Sequence, residues 1–270
     1  MNRKFLILAL LVLACNACVD IDYGDREGTL SVGDHRKTAF AIVSSAENST
    51  IDYTTQYGYI EDIGDGRGYT AGLIGFTSAT GDLLDVVERY CSLRPADNSL
   101  AAFLSALQDV NGTDSHNGLG QPFIQAWQDA SADPLMRQAQ NDIIDSLYLL
   151  PAVGYAKADG LTLLGQFIYY DAMVMHGPGD DEDSFNGIRT EALRHRNCPS
   201  EGGDENRYLR TFLDARRRVM RKEEAHSDLS RINAQRNWLK QGNYNLTLPL
   251  HWTMYGDSFT LTQTDIDAME

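Results

Sequence analysis

The sequence is short of positive charge, and this shortage narrows the classes of partner that the chain can bind. Its 270 residues include 23 lysines and arginines against 38 aspartates and glutamates, a formal net charge of -15 at pH 7. Such a balance repels nucleic-acid phosphates and anionic membrane surfaces. It favours a cationic partner, although acidity alone also keeps an exported protein soluble. We therefore predict no nucleic-acid partner.

Cysteine is also scarce, and two chemical classes lack their motifs. Of 4 cysteines, Cys15 and Cys18 lie near the N-terminus, which leaves Cys91 and Cys198 for the body of the chain. Two cysteines without paired histidines do not make a zinc site. The chain has neither a His-Glu-x-x-His nor a Gly-x-Ser-x-Gly element, so metalloprotease and serine hydrolase chemistry lack support. We predict no metal and no cofactor; a disulfide and two separate thiols both stay open.

No apolar run is long enough to cross a bilayer. The run at 5–14 follows Arg3 and Lys4, a pattern typical of a secretory signal. Two processing routes fit the residues after it: lipoprotein processing, with a lipid anchor at Cys15, and ordinary cleavage after Ala17. We predict a signal peptide at 1–18, a spacer at 19–36 and one folded domain at 37–270. The protein is expected to be secreted or anchored at the cell surface, and monomeric.

The remaining pattern predicts a mostly helical α+β protein with one small sheet near its N-terminus. Strand-like segments at 57–63 and 69–76 flank the glycine-rich turn at 64–68, which is a hairpin signal. Two lobes with a cleft between them follow from this distribution, and clefts are where ligands bind. Helical periodicity and caps predict helices at 38–45, 83–90, 100–110, 122–130, 134–149, 157–175, 204–226 and 230–240.

Two carboxylates near this sheet have different surroundings. Glu47 follows a predicted helix and Asp65 lies in the glycine-rich turn. Glycoside hydrolysis needs such a pair, one carboxyl protonated and one ionised. Among 38 acidic residues most pairs carry no meaning, and an Asp that bonds its own turn backbone is the plain structural alternative. A phosphate loop is rejected because no helix follows the turn, and a calcium loop lacks its further oxygen ligands.

At these residues the sequence resembles glycoside hydrolase family 46, the bacterial chitosanases. The likeness runs from about residue 37 to the C-terminus, with SSAENS at 44–49 and YIEDIGDGRGYT at 59–70 as its central motifs. It implies a lysozyme-like α+β fold with two lobes, a small sheet in the N-terminal lobe and a substrate cleft. It also implies endo-hydrolysis of β-1,4 linkages between glucosamine units of chitosan, with inversion. Further matching segments are 118–120, 138–142, 156–161, 165–167, 169–171, 174–179, 212–216 and 255–257.

The resemblance also assigns roles to residues of this chain. It implies that Glu47 is the general acid, that Asp65 is the general base and that Thr70 holds the attacking water. An inverting pair needs carboxyls roughly 6.5–9.5 Å apart. A supporting ionic network maps onto Asp171, Arg216 and Arg231. Expected substrate-binding residues are Tyr59, Glu61, Arg67, Asp82, Tyr148, His176 and Glu223.

Each assignment has a plainer alternative. Thr70 fits an ordinary strand, Asp82 fits a helix cap, and His176 fits a helix C-terminus. Glu223 fits a solvated helix face. One departure from the family is Ser227, where an acid often follows the histidine.

Two other functions compete with the chitosanase activity that the resemblance implies. A non-catalytic surface protein that binds chitosan would be expected to lack one of the three catalytic candidates. A lysozyme-like hydrolase would have to bind anionic cell-wall polymers, which the acidic chain repels. The predicted partner is therefore chitosan, a cationic polysaccharide.

Overall fold

The computed structural model describes residues 28–222 and 228–269. The predicted signal peptide, residues 19–27 of the predicted spacer, and Glu223 and Ser227 lie outside the described residues. The helices are α1 (Gly33–Glu47), α2 (Asp82–Leu93), α3 (Leu104–Val110), α4 (Gly120–Ala130), α5 (Pro134–Ile144), α6 (Leu150–Ala158), α7 (Leu163–His176), α8 (Phe185–His195), α9 (Glu205–Met220), α10 (Ser230–Gln241) and α11 (Gln263–Ala268). The strands are β1 (Ile60–Asp62), β2 (Tyr69–Ala71), β3 (Phe76–Thr77), β4 (Leu250–Met254) and β5 (Asp257–Leu261).

Residues ahead of the predicted domain boundary at residue 37 pack against the core. Leu30 is fully buried, and its backbone N–H donates to Gln166 Oε1 at 2.8 Å. Helix α1 then starts at Gly33. A buried leucine therefore ties part of the predicted spacer to the core, and the domain boundary at residue 37 stays a prediction.

The long helix predicted at 157–175 is two helices. Helix α6 ends at Ala158, and α7 begins at Leu163. Between them Gly160 has φ +76°, and a Cβ there would lie 3.0 Å from the Ser200 backbone nitrogen. A side chain there would be strained by the backbone conformation and crowded by the Ser200 backbone. The expected central burial is confirmed for α7, since Leu163–Met173 are buried throughout.

The sheet near the N-terminus has three antiparallel strands in the order β1–β2–β3. Ile60 pairs with Ala71 and Asp62 with Tyr69, so the turn between β1 and β2 spans residues 63–68. The second predicted strand is interrupted after Ala71, because Gly72 and Gly75 adopt positive φ and turn the chain into β3. The hairpin prediction is confirmed, but its strands are shorter than expected.

A second sheet was not predicted. Strands β4 and β5 form a two-stranded antiparallel hairpin in which buried and exposed residues alternate along β4. The chain is thus mostly helical with small antiparallel sheets, as predicted, but its strand content is not confined to the N-terminal part. No helix among residues 28–222 and 228–269 is long and apolar enough to span a membrane.

Candidate active site

A cleft of about 550 Å³ gathers most of the predicted site residues. It is lined by the end of α1, by the β1–β3 sheet, by the start of α2, by the end of α7 and by α10. Asp65, Glu61 and the core of the ionic network do not line it, and Glu223 lies outside the described chain. The predicted residues that line it are Glu47, Tyr59, Arg67, Thr70, Asp82, Tyr148, His176 and Arg231.

Glu47 is the last residue of α1, and local contacts fix its place. The Asn48 backbone N–H donates to the Ser44 carbonyl at 2.7 Å and closes the helix. The Asn48 side chain donates to the Leu73 carbonyl at 3.1 Å, which ties this helix end to the turn between β2 and β3. Glu47 Oε1 accepts from Arg231 Nη1 at 2.7 Å, and the Glu47 side chain stays 26% exposed. The carboxyl is therefore oriented, yet open to the cleft.

Behind Glu47 lies a buried ionic network. Asp171 accepts from Arg216 at 2.6 Å, from Arg231 at 2.6 Å and 3.1 Å, and from the Gln235 amide at 2.6 Å. These four side chains are at most 3% exposed. Burial acts to raise the pKa of Asp171, but the charges of Arg231 and Arg216 outweigh it and hold that pKa well below its usual range. Asp171 thus stays ionised and fixes the guanidinium that holds Glu47.

Asp65 lies in the turn between β1 and β2, and both the backbone and the side chain of Arg67 contact it. The Asp65 carboxylate accepts from the Arg67 backbone N–H at 3.0 Å and from its Nε at 2.8 Å, and the ion pair places Arg67 Nη2 2.6 Å from Asp65 Oδ2. The side chain of Asp65 is 24% exposed and that of Arg67 is 49% exposed. Asp65 therefore bonds the backbone of its own turn, as the structural alternative predicts, and it can still be a site residue. Arg67 lines the cleft and positions Asp65.

The turn itself is held against its neighbours at Gly68. This residue has φ +70°, and a Cβ there would lie 2.3 Å from Ser78 Oγ. Ser78 Oγ also accepts from the Tyr69 backbone N–H at 3.0 Å. Glycine is therefore required by a close approach, and the C-terminal end of the turn that carries Asp65 is fixed.

Thr70 lies in the middle of β2, opposite Glu61, and lines the cleft. It is 8% exposed, and its Oγ1 has no hydrogen-bond partner among residues 28–222 and 228–269. Buried hydroxyls normally have a partner. Its position in the cleft therefore fits a hydroxyl that bonds a water or a substrate group.

Asp82 is the first residue of α2 and not its cap, which is Gly81. Its carboxylate accepts from the Thr77 backbone N–H and the Thr80 hydroxyl at 2.8 Å and from the Tyr148 hydroxyl at 2.9 Å. Burial raises the pKa of Asp82, and these hydrogen bonds offset part of that rise. A carboxylate has about four lone-pair positions, so some acceptor capacity remains for the cleft.

The other predicted binding residues have clear surroundings. His176 ends α7 and lines the cleft, and its Nε2 accepts from Arg216 Nε at 3.2 Å. The Tyr59 hydroxyl donates to Glu61 at 3.3 Å, so Glu61 is connected to the cleft through Tyr59.

Several residues of the cleft had no predicted role, and the state of the cysteines was left open. Ile63, Asp85 and Tyr255 line the cleft without a predicted role. Tyr255 belongs to a segment that matches the family, and this was the available signal for it. Cys91 and Cys198 are free thiols, so no disulfide joins them.

The cleft of this helical domain carries one carboxyl group and has a second beside it. Glycoside hydrolases use such a pair. The sequence profile of glycosyl hydrolase family 46 matches residues 41–250. The chain belongs to this family.

Relatives with known names support this membership. The chain is 55% identical over 229 residues to a chitosanase of Streptomyces sp. (strain N174), covering 84% of this chain and 82% of that protein. A co-crystal structure of chitosanase OU01 with substrate superimposes with a TM-score of 0.85 at 53% identity, covering 87% and 99% of the two chains. A Gynuella sunshinyii chitosanase in complex with chitotetraose gives a TM-score of 0.79 at 41% identity, covering 85% and 98%.

Proposed function

We infer that the protein is an endo-acting chitosanase that cleaves β-1,4 linkages between glucosamine units with inversion. The observation that carries this proposal is Glu47, which the buried Arg231 holds at the cleft of a family 46 domain. The two arginines of the cleft wall are each paired with a carboxylate, Arg67 with Asp65 and Arg231 with Asp171 and Glu47. Asp82 and Asp85 add negative charge to the wall, which suits a polymer of ammonium-bearing sugars.

In the proposed mechanism Glu47 donates its proton to the glycosidic oxygen as the bond to the anomeric carbon breaks. The carboxylate left behind is stabilised by the Arg231 guanidinium at 2.7 Å. Asp171 accepts from Nε and Nη2 of Arg231, which keeps the guanidinium turned toward Glu47. The network therefore acts through orientation and charge and does not itself touch the substrate.

Asp65 removes a proton from the water that attacks the opposite face of the sugar. Arg67 holds the Asp65 carboxylate in place, and Thr70 Oγ1 supplies a hydrogen-bond partner for the water. The two groups belong to one hairpin, since Asp65 is in its turn and Thr70 in its second strand. Their relative position is therefore set by local structure.

Replacing Arg67 with Lys is expected to lower kcat by about 10–100-fold, because a small displacement of a catalytic group can cost about that much. Lys keeps the charge but loses the planar contact through Nε and Nη2 that fixes Asp65. Steady-state kinetics on chitosan checks this, with Arg137→Lys, outside the cleft, as the control. A wild-type kcat in Arg67→Lys would show that Arg67 does not position Asp65.

Asp82→Asn is expected to lower kcat/KM on chitosan by about tenfold or more, since a hydrogen bond to a charged group contributes about 1.5–3 kcal/mol. Asparagine fills the same volume but no longer attracts an ammonium group. The exposed neighbour Asp85, changed to Asn, is the matched control and should have a smaller effect.

The raised pKa of Asp82 also predicts a pH dependence. The ionised form binds ammonium, so substrate affinity should fall on acidification, beginning above the ordinary aspartate pKa of about 3.9. This part of the pH profile should be missing in Asp82→Asn. Equal profiles for both proteins would assign the dependence to another group.

The proposal is tested by incubating the purified domain with well-deacetylated chitosan and following the released anomer by NMR. Initial release of the α-anomer, with shortening of the polymer from internal sites, is the expected result. An initial β-anomer would refute inversion, and no cleavage by the folded domain would favour a chitosan-binding protein.

We also propose that the protein is exported, because the apolar run at 5–14 is typical of a secretory signal.

A further inference from the structure

Tyr255 occupies a backbone conformation that its side chain disfavours. It is the first of two turn residues between β4 and β5, where Met254 pairs with Asp257. Tyr255 has φ +49° and Gly256 has φ +94°, which is the sign pattern of a type I′ turn. Asn-Gly is the favoured sequence there, whereas a bulky aromatic residue at positive φ is strained. Strain of this kind persists where the surroundings impose it, often at functional sites.

The surroundings place this strained residue in the cleft. The Tyr255 backbone N–H donates to Ser230 Oγ at 3.1 Å, next to Arg231 in α10. Partial burial of the ring raises the pKa of the Tyr255 phenol, and the neighbouring Arg231 charge opposes this rise while Glu47 adds to it. Tyr255 is therefore an immediate neighbour of the ion pair that holds the proposed acid.

Exposure separates Tyr255 from a core residue. In the chain that the structure describes, the exposed large hydrophobic side chains are Ile63 at 50% and Tyr255 at 47%, and both line the cleft. They come from the turns of two different hairpins, since Ile63 opens the turn that carries Asp65. Isolated apolar exposure is ordinary, but its coincidence in one polar cleft marks a ligand surface.

We propose that Tyr255 is a sugar-binding residue that packs its ring against the apolar face of the glucosamine unit next to Glu47. Ile63 supplies a second apolar contact on the Asp65 side of the cleft. A pyranose ring has C–H faces and a polar rim, and an amphipathic tyrosine matches both. The strained turn is kept because Asn or Gly would relieve the backbone but would remove the ring. This inference rests on the proposed function.

Tyr255→Asn tests the proposal, because it creates the favoured Asn-Gly turn while removing the ring. We expect its Tm to rise by about 2–4 °C. We also expect kcat/KM on a glucosamine hexamer to fall by about tenfold or more, since stacking of a ring on an aromatic side chain has about that effect in other ligands. Calorimetry in an Asp65→Asn background should show a matching loss of hexamer affinity, and Tyr255→Phe should retain most of it.

Two further variants distinguish the relief of backbone strain from the loss of a sugar contact. Asp97→Gly relieves another positive φ, +54°, at an exposed site outside the cleft, and should raise Tm without changing hexamer affinity. Ile63→Ser should weaken hexamer affinity while its Tm stays near that of the wild type. Unchanged hexamer affinity in Tyr255→Asn, or a Tm that falls with the affinity, would overturn the proposal. Failure of the wild type to cleave chitosan would instead overturn the proposed function.

Discussion

Glu47→Gln is expected to lower kcat on chitosan by about 10³-fold, within the range that general acid catalysis contributes. The amide keeps the size of the side chain and an oxygen that can accept from Arg231 Nη1, so the cleft should keep its shape. What is lost is the proton for the glycosidic oxygen. Steady-state kinetics, with Tm as a check on folding, measures the effect. Asp65→Asn should be comparably impaired, because the amide cannot take the proton from water.

The matched control for both changes is Glu88→Gln. Glu88 lies on α2, is exposed and does not line the cleft. Its loss of charge should leave kcat close to the wild-type value. A Glu47→Gln enzyme that retained kcat within about tenfold would exclude Glu47 as the acid, since that loss falls below the contribution of general acid catalysis. The ion pair with Arg231 would then be purely structural.

Asp171→Asn is expected to have the largest effect on stability. Removing one partner of a buried charge network typically costs about 3–5 kcal/mol, because the remaining charges stay buried without compensation. Here two guanidiniums would be left, and Arg216 would lose its carboxylate altogether while Arg231 kept only Glu47. Urea unfolding followed by circular dichroism measures the free energy of unfolding.

The control for Asp171 is a carboxylate with the same number of arginine partners at the surface. Asp214 pairs with Arg217 at 3.1 Å and with Arg236 at 2.7 Å, but its side chain is 43% exposed. Asp214→Asn should therefore cost about 1 kcal/mol or less. Equal losses in both variants would contradict the view that burial makes the Asp171 network decisive.

The lowered pKa of Asp171 also fixes a pH window. A carboxyl with a depressed pKa in the folded state contributes stability above its unfolded-state pKa of about 3.9. That contribution is lost as pH falls toward the folded-state pKa. The difference in unfolding free energy between wild type and Asp171→Asn should therefore be full near neutrality and shrink below about pH 4.

The sequence predicted those parts of the fold that have a local pattern. Helical periodicity identified most helices, and the glycine-rich turn identified the first hairpin. The break after Ala158 has a local signal that the predicted helix at 157–175 overlooked, because Gly160 follows at positive φ and the Leu161 N–H donates to the Ala156 carbonyl, as in a glycine C-cap. The hairpin of β4 and β5 was missed because Tyr-Gly is not a typical turn signal, and that exception coincides with the cleft.

The candidate site was likewise predictable from the sequence only in part. Family motifs suggested Glu47 and Asp65, but only the structure shows that Arg67 binds Asp65 through two hydrogen bonds and an ion pair. Sequence likewise could not show that Asp82 is surrounded by Thr77, Thr80 and Tyr148, since those contacts join separate elements. Side-chain partners across elements are set by packing, which a single sequence does not display.

The ion pair between Glu47 and Arg231 joins residues 184 positions apart. During synthesis both proposed catalytic carboxylates leave the ribosome long before α10 does. A nascent or truncated chain that ends before residue 230 would carry the acid and the base but not the guanidinium that orients the acid. Contacts of such long sequence separation also form late and slowly in folding. Enzymatic competence should therefore appear only when α10 has folded, so an incomplete chain is not an active enzyme.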